Sequence, residues 1–392
     1  MNIALFLEQP FDPNAGGVQR STSKLAEIYK KNGHKVVLIS SSVKPSPIST
    51  WLDIPIYHIN TKKDHAIFKQ ILENEKISLI INQSGYSIKW TKFLVKNKID
   101  GVKILSLLRI NPSNFRDNYK ESIGLFFRKR NLSFLNIALV QKIWLLYHIY
   151  RIRYEFNYII SKTDAFVMLS ERFKNDLYSM APLLKRYDKK IYGIMNPFES
   201  PNLDIQEIVK EKENIILFVG RLNIVQKRVD LLIEIWKKLH ETLPEWKFWV
   251  VGYGESRAMM EDYCNKNELT RVTFFGKDNP INYYKKAKIF HMTSAYEGFG
   301  NVLIESQSYG CVPFLFNSYS SAQDIITDKV NGILIEPFDV DTYASETFEL
   351  ANSSSRLTEM GIKAYENVDK FSYEKMYNKW KKIFENLNIS NP

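Results

Sequence analysis

The most constraining feature of the sequence is a strand, a glycine-rich turn and a helix in direct succession at residues 287–310. The apolar run at 287–292 predicts a short buried strand. The apolar spacing after Asn301 predicts a helix that stops near Gly310. Gly298 and Gly300 lie in the tight connection between them. Backbone N–H groups converge at such a turn, and together with the helix dipole they predict an anion-binding site.

Two carboxylates flank this turn, Glu297 before it and Glu305 on the helix. A carboxylate next to a bound phosphate is repelled, so each one needs another partner, most simply the hydroxyl groups of a sugar. The pattern therefore favours a nucleotide-sugar ligand. The alternative is an ordinary helix whose exposed glutamate follows a glycine-rich turn.

The stretch resembles the signature of glycosyltransferase family 4, in which two glutamates eight positions apart bracket a Glu-Gly-Phe-Gly turn. The resemblance covers most of residues 1–40 and 160–340. It implies the α/β GT-B fold, with two doubly wound, Rossmann-like domains that face a cleft. It also implies an acceptor-side domain at 1–198, a nucleotide-sugar-binding domain at 199–372, and a last helix at 373–388 that crosses back to the first domain.

Length and composition agree with such an enzyme. The chain has 392 residues, enough for two domains, and its 45% hydrophobic and 25% charged residues are a globular balance. Cys264 and Cys311 have no further Cys or His at ligand spacing, which favours a reducing compartment and no structural zinc. Glu8 interrupts the first apolar run, so we expect a strand there rather than a signal peptide.

Two cations follow the apolar strand predicted near residues 215–220. In the family, an Arg at the end of this strand and a Lys five or six positions later clamp the donor diphosphate, and Arg221 and Lys227 match them. Such cations stabilise a leaving diphosphate without a metal, so we expect no metal and no cofactor beyond the nucleotide-sugar. Solvated loop cations are the alternative. Asp339 and Asp341 have the spacing of a metal-binding pair, but they precede a predicted helix and favour a capping role.

The resemblance also assigns a substrate site. Glu305 is expected to bind the ribose, Glu297 the hydroxyls of the transferred sugar, and the glycine pair before the first helix to lie near the donor diphosphate. A simple helix-entry turn is the alternative for that pair. The catalytic residues expected are Glu297, Arg221 and Lys227, and the substrate-binding residues expected are Gly16, Gly17, Arg109, Gly276, Lys277, Gly298, Phe299, Gly300, Asn301, Val302, Leu303 and Glu305.

Arg109 departs from the family pattern, because many members carry a histidine at this strand end, near the reacting sugar. An arginine cannot act as a neutral base, so the proton-handling role of that histidine does not carry over. A guanidinium can still position a phosphate or a carbonyl group by its charge.

The net charge of +11 is unevenly distributed, with +15 in residues 1–200 and −4 in the remainder. Arg128, Lys129 and Arg130 precede an apolar, aromatic segment at 134–150, and Arg151 and Arg153 follow it. The segment is either a buried core helix or a helix that docks on an anionic bilayer, with Trp and Tyr at the interface.

Taken together, the sequence predicts a retaining bacterial hexosyl- or N-acetylhexosaminyltransferase that uses a UDP-linked donor. The expected acceptor is a lipid-linked saccharide of O-antigen, capsule or exopolysaccharide synthesis. We expect a cytoplasmic enzyme, peripheral on the inner face of the plasma membrane, with no nucleic-acid partner. A sugar-nucleotide epimerase of the same fold and a catalytically silent nucleotide-sugar-binding protein are the alternatives.

Overall fold

Strands and helices alternate through almost the whole chain, as expected of an α/β protein. The computed structural model describes residues 1–13, 15–41, 48–128, 130–132, 134 and 136–389, apart from the side chains of Phe115 and Glu121. It divides into unit 1, formed by Met1–Pro197 with Tyr373–Pro392, and unit 2, formed by Phe198–Ser372.

Unit 1 is built on a sheet of short apolar strands. These are β1 (Asn2–Leu7), β2 (Lys35–Ser40), β3 (Thr50–Trp51), β4 (Ile54–His58), β5 (Leu79–Asn82), β6 (Lys103–Leu108), β7 (Ala165–Met168) and β8 (Ile191–Gly193). Their order is β3-β4-β2-β1-β5-β6-β7-β8, and every pair is parallel except β3 with β4. The central strands are buried on both faces, which explains their continuous apolar sequences.

Helices connect these strands, as parallel pairing requires. They are α1 (Gly17–Lys31), α2 (His65–Asn74), α3 (Ile88–Asn97), α4 (Asn114–Asp117), α5 (Tyr119–Arg128), α6 (Ala138–Lys162) and α7 (Phe173–Met180), followed by a 3₁₀ segment at Pro182–Lys190. Phe6 of β1, Phe68 of α2 and Phe93 of α3 meet in the core of this unit.

Unit 2 repeats the same principle with six parallel strands. These are β9 (Glu213–Val219), β10 (Lys247–Val251), β11 (Val272–Gly276), β12 (Ala287–Met292), β13 (Val312–Phe316) and β14 (Ile333–Ile335), in the order β11-β10-β9-β12-β13-β14. Its helices are α8 (Ile205–Glu211), α9 (Ile224–Lys227), α10 (Val229–His240), α11 (Arg257–Lys266), α12 (Ile281–Lys286), α13 (Asn301–Gln307), α14 (Ala322–Ile325), α15 (Val340–Ala351) and α16 (Ser354–Asn367).

The last helix, α17 (Tyr373–Asn386), belongs to unit 1 although unit 2 precedes it in the chain. Its buried Trp380 and Phe384 pack on Tyr29 of α1, with ring centroids 5.9 Å and 5.8 Å from that of Tyr29. Unit 1 is therefore made of two separate stretches of sequence.

The apolar segment predicted at 134–150 differs in extent from the helix observed. Helix α6 begins at Ala138 and continues to Lys162, so Arg151 and Arg153 lie on the helix rather than after it. Only Phe156, Ile159 and Ile160 of this helix are fully buried. A wholly buried core helix is therefore the wrong interpretation of this segment. Lys129 lies outside the described residues.

Candidate functional site

The site in unit 2 begins with a capped turn of helix directly after β9. The Asn223 side chain accepts hydrogen bonds from the backbone N–H groups of Gln226 and Lys227, at 2.9 Å and 3.0 Å. An N-cap of this kind fixes the direction in which a short helix starts. It therefore fixes where the Lys227 side chain leaves the backbone.

Lys227 and Glu297 form an ion pair in the structure. The Lys227 Nζ atom lies 2.5 Å from Glu297 Oε1, and each side chain is only 12% exposed. Gln226 Nε2 lies 3.4 Å from the other carboxylate oxygen. Two residues 70 positions apart in sequence, both predicted as catalytic, are thus in direct contact.

Backbone contacts hold the two loops of this pair together. The Thr293 hydroxyl donates to the Lys227 carbonyl at 2.8 Å, and the Ala295 N–H donates to the Gln226 carbonyl at 2.7 Å. The loops follow β9 and β12, the neighbouring strands at which the strand order of this sheet reverses. Ligands of open α/β sheets bind at the carboxyl ends of such strands.

The glycine turn follows Glu297 and leads into α13. Gly300 has a φ of +96°, a backbone conformation that disfavours any side chain. Helix α13 has seven residues, fewer than two turns, so its dipole contributes less to an anion site than a longer helix would. The side chains of Phe299 and Leu303 are buried, so these two residues can meet a ligand only through their backbones.

Glu305 lies on α13 beside two tyrosines. The Tyr284 hydroxyl lies 3.3 Å from Glu305 Oε2, and the Tyr284 and Tyr309 rings stack with centroids 6.1 Å apart. Burial, and secondarily the Glu305 carboxylate, raises the pKa of Tyr309. Asn301 and Val302 are half-buried on the same helix.

The other predicted residues of unit 2 are more open. Arg221 is exposed and has no ion-pair partner among the side chains that the structure describes. Gly276 ends the edge strand β11 with a φ of +78°, and the exposed Lys277 places its Nζ atom 5.7 Å from the centre of the Tyr253 ring.

In unit 1, Gly16 and Gly17 lie at the start of α1, and both are exposed. Arg109 follows β6 and is buried. Its guanidinium donates to the side-chain oxygens of Gln83 and Asn196.

Asp339 has the capping role that its sequence context predicts. Its side chain accepts from the Thr342 N–H at the start of α15, while Asp341 pairs with Lys238 at 2.7 Å. In the described part of the chain, no three His, Cys, Asp or Glu side chains are grouped as a metal site would need.

Sequence reasoning missed the residues that support the pair. Asn223 could have been identified from its position just before a short helical run, a typical N-cap signal. Thr293 and Gln226, and Tyr284 beside Glu305, carried no comparable signal, because their contacts depend on which strands become neighbours.

The fold matches that of known structures. Two Rossmann-like units with parallel sheets are the GT-B architecture, as in S. aureus TarM, whose mutant was solved with fondaparinux, α-GlcNAc-glycerol and UDP. That structure superposes with a TM-score of 0.73 at 16% identity and covers 98% of this chain and 100% of its own.

Residues 200–367 match the family model described as glycosyl transferases group 1. Over these residues the chain is similar to the group 1 glycosyltransferases. It is 28% identical over 221 residues to the amylovoran biosynthesis glycosyltransferase AmsD of Erwinia amylovora, covering 55% of this chain and 61% of AmsD.

A second relative comes from Campylobacter jejuni. It is a GalNAc-α-(1->4)-GalNAc-α-(1->3)-diNAcBac-PP-undecaprenol α-1,4-N-acetyl-D-galactosaminyltransferase, 29% identical over 201 residues, which cover 51% of this chain and 55% of the relative. The matched region thus spans between half and two thirds of the length of these two relatives.

Proposed function

We propose that the chain is a retaining glycosyltransferase that moves a hexosyl or N-acetylhexosaminyl group from a UDP-linked donor to a saccharide acceptor. The Lys227–Glu297 pair at the strand-order reversal of unit 2 carries this proposal. By their names, AmsD acts in amylovoran biosynthesis and the Campylobacter relative acts on an undecaprenol-linked saccharide. We propose that this chain likewise uses a lipid-linked acceptor and acts in bacterial surface polysaccharide synthesis.

The proposed chemistry needs charge stabilisation at two places. Arg221 and Lys227 stabilise the diphosphate as the bond to the sugar breaks. Glu297 binds sugar hydroxyls and favours the positive charge that develops at the anomeric carbon. Because the ion pair already orders Lys227 and Glu297, little rearrangement is required when the donor binds.

The acceptor proton needs a base, and the side chain at position 109 cannot supply one in the way a neutral histidine could. We propose that the departing phosphate takes this proton on the same face of the sugar. The diphosphate cations make a metal unnecessary in this scheme.

Donor specificity is tested with the purified protein and a panel of nucleotide-sugars. Ligand binding raises the melting temperature by mass action. The donor can therefore be identified by the increase that it causes, before the acceptor is known. Glu305→Gln should weaken UDP binding in calorimetry, because a charged acceptor for the ribose is lost. Unchanged affinity would contradict the role given to Glu305.

The type of reaction is tested by supplying donor with and without saccharide acceptors. A transferase forms a glycoside only when an acceptor is present, and nuclear magnetic resonance of the new linkage reports retention. Conversion of the donor alone into a sugar epimer would favour the epimerase. Binding without any turnover would favour the silent binding protein.

We also propose that the protein associates with the membrane through α6. Six exposed side chains form one apolar stripe along this helix: Leu139, Ile143, Leu146, Tyr147, Tyr150 and Tyr154. Their positions span about 100° of the helix surface at 3.6 residues per turn. No helix in the described ranges is long and apolar enough to cross a membrane.

The charges around this stripe favour an anionic lipid surface as its partner. Between residues 128 and 162 the sequence has seven basic residues and one acidic residue, Glu155, which pairs with Arg151. Lys142, Arg151 and Arg153 are exposed on the same helix. Basic residues near an anionic surface contribute about 1 kcal/mol each.

Vesicle sedimentation tests this placement. The protein should sediment with phosphatidylglycerol vesicles at low salt and leave them at high salt, because exposed charges are screened. Ile143→Asn with Tyr150→Ser should abolish sedimentation, whereas Ile67→Asn, at an exposed apolar position on α2, should not. If the parent protein does not sediment with these vesicles at low salt, the proposed membrane association is wrong.

A further inference from the structure

Arg109 is a buried cation whose hydrogen-bond acceptors among the described residues are all neutral. The residue is 8% exposed, its Nε and Nη2 atoms donate to Gln83 Oε1 at 3.2 Å and 2.5 Å, and its Nη1 atom donates to Asn196 Oδ1 at 3.2 Å. None of the carboxylates that the structure describes pairs with it. Among the described residues of unit 1, its positive charge therefore has no counter-charge.

Such an arrangement costs free energy, because buried charges in proteins are normally paired. Burial lowers the pKa of Arg109 to about 9, opposed only by the nearby Tyr29 hydroxyl. A guanidinium has five N–H groups in a planar fork, and three of these are used. Two remain for a further acceptor, and a planar fork of this kind suits a carboxylate or a phosphate.

The surroundings of Arg109 contain further polar groups. The Thr22 hydroxyl of α1 donates to the same Gln83 oxygen at 3.3 Å. Buried Gln83 Nε2 and Asn82 Nδ2 have no acceptor among the described residues. Buried polar groups without hydrogen-bond partners are rare in proteins, and a bound molecule that supplies the partner is one explanation for them.

The position in the sheet is that of a ligand site. The strand order of unit 1 reverses between β1 and β5, and Gln83 follows β5 while Arg109 follows its neighbour β6. At Gly16 and Gly17, after β1, an added side-chain carbon would meet nothing within 4 Å. The carboxyl ends of β1, β5 and β6 lie at the same edge of the sheet, where ligands of open α/β sheets bind.

We propose that unit 1 binds an acceptor bearing an oxyanion, either a sugar carboxylate or a phosphate, and that Arg109 neutralises it. This inference rests on the proposed transferase function and names the class of its acceptor. Arg221 and Lys227 of unit 2 already supply two cations for the donor diphosphate. The positive charge of Arg109 in unit 1 is therefore assigned to the acceptor.

The test compares Arg109→Gln with a matched control, Arg116→Gln. Arg116 is partly exposed and pairs with Asp117. Glucuronate and glycerol phosphate serve as anionic probes, with glucose and glycerol as their neutral counterparts, and binding to the full chain is measured by calorimetry. The parent and the control should prefer the anionic probes, and Arg109→Gln should bind them about tenfold or more weakly, since charged hydrogen bonds are lost.

Three further readouts separate this role from others. UDP affinity should be the same in all three proteins, and a selective loss of UDP binding in Arg109→Gln would assign the residue to the donor and overturn the proposal. The melting temperature of ligand-free Arg109→Gln should equal or exceed that of the parent, whereas a structural arginine would lower it. Arg109→Lys should retain part of the preference for anions. Equal binding of charged and neutral probes by the parent would also refute the proposal.

The outcome is separate from that of the proposed function. A chain that transfers sugar to neutral acceptors without involving Arg109 would keep its function and lose this inference. A chain that binds neither UDP nor any UDP-sugar would lose the proposed function whatever the probes show.

Discussion

The contact between Lys227 and Glu297 makes a quantitative prediction about unit 2. Removing one member of a buried ion pair leaves the other charge without compensation, which costs about 3–5 kcal/mol. Each side chain retains 12% exposure, so the lower end applies. We expect Lys227→Met and Glu297→Leu each to lower the free energy of unfolding by about 3 kcal/mol.

The double variant distinguishes a true pair from two independent residues. Replacing both charges with apolar groups removes the isolated charge, so the combined loss should fall short of the sum by about 2 kcal/mol or more. Urea unfolding measures the loss of stability. Hydrogen exchange of peptides from unit 2 shows whether that unit is the one destabilised. All three variants should also lose turnover, because we propose that both residues act on the donor.

An exposed pair in the same unit provides the control. Lys363 and Glu366 lie 3.2 Å apart with side chains 49% and 55% exposed, and their coupling should stay below about 1 kcal/mol. If the effects at Lys227 and Glu297 add within about 0.5 kcal/mol, the contact is not energetically significant and the preorganisation argument fails.

Three shorter predictions follow from other features. Arg221→Ala should lower turnover by about two to three orders of magnitude. Its melting temperature should stay unchanged, because this cation is exposed. Activity near that of the parent would show that Arg221 does not stabilise the diphosphate. Activity should persist in excess chelator, and activity lost there but restored by magnesium or manganese would require a metal in the mechanism. Burial lowers the pKa of His291 to about 3. As the pH is lowered, the unfolded state therefore binds a proton at this histidine before the folded state does. The free energy of unfolding should fall between pH 6.5 and pH 3. His291→Gln should flatten that profile in urea titrations, and an unchanged slope would show that another group is responsible.

The sequence predicts much of the fold because its strands are buried on both faces. Runs such as Leu79–Asn82 are continuous, apolar and bounded by turns, so strand positions can be identified without any tertiary information. The GT-B architecture predicted from the glycine turn is confirmed. Residues 200–367 match the model of glycosyl transferases group 1, and membership of family 4 stays a prediction. The roles of the individual site residues stay predictions.

Other features depend on long-range contacts and could not be predicted. Helix α6 is apolar on more than one face, and periodicity alone cannot tell which face the rest of unit 1 covers. The neutral partners of Arg109 lie 26 and 87 positions away in sequence. No local pattern distinguishes such a residue from a surface arginine until the strand order is known.

The discontinuous sequence of unit 1 has a consequence for biosynthesis. Domains tend to fold as units while the ribosome extends the chain from its N-terminus. The stretch Phe198–Ser372 is contiguous, so unit 2 has its whole sequence available before unit 1 does. Tyr29 remains without Trp380 and Phe384 until α17 has been made. A chain that ends before Tyr373 and has been released from the ribosome should therefore carry a folded second unit and an incomplete first one.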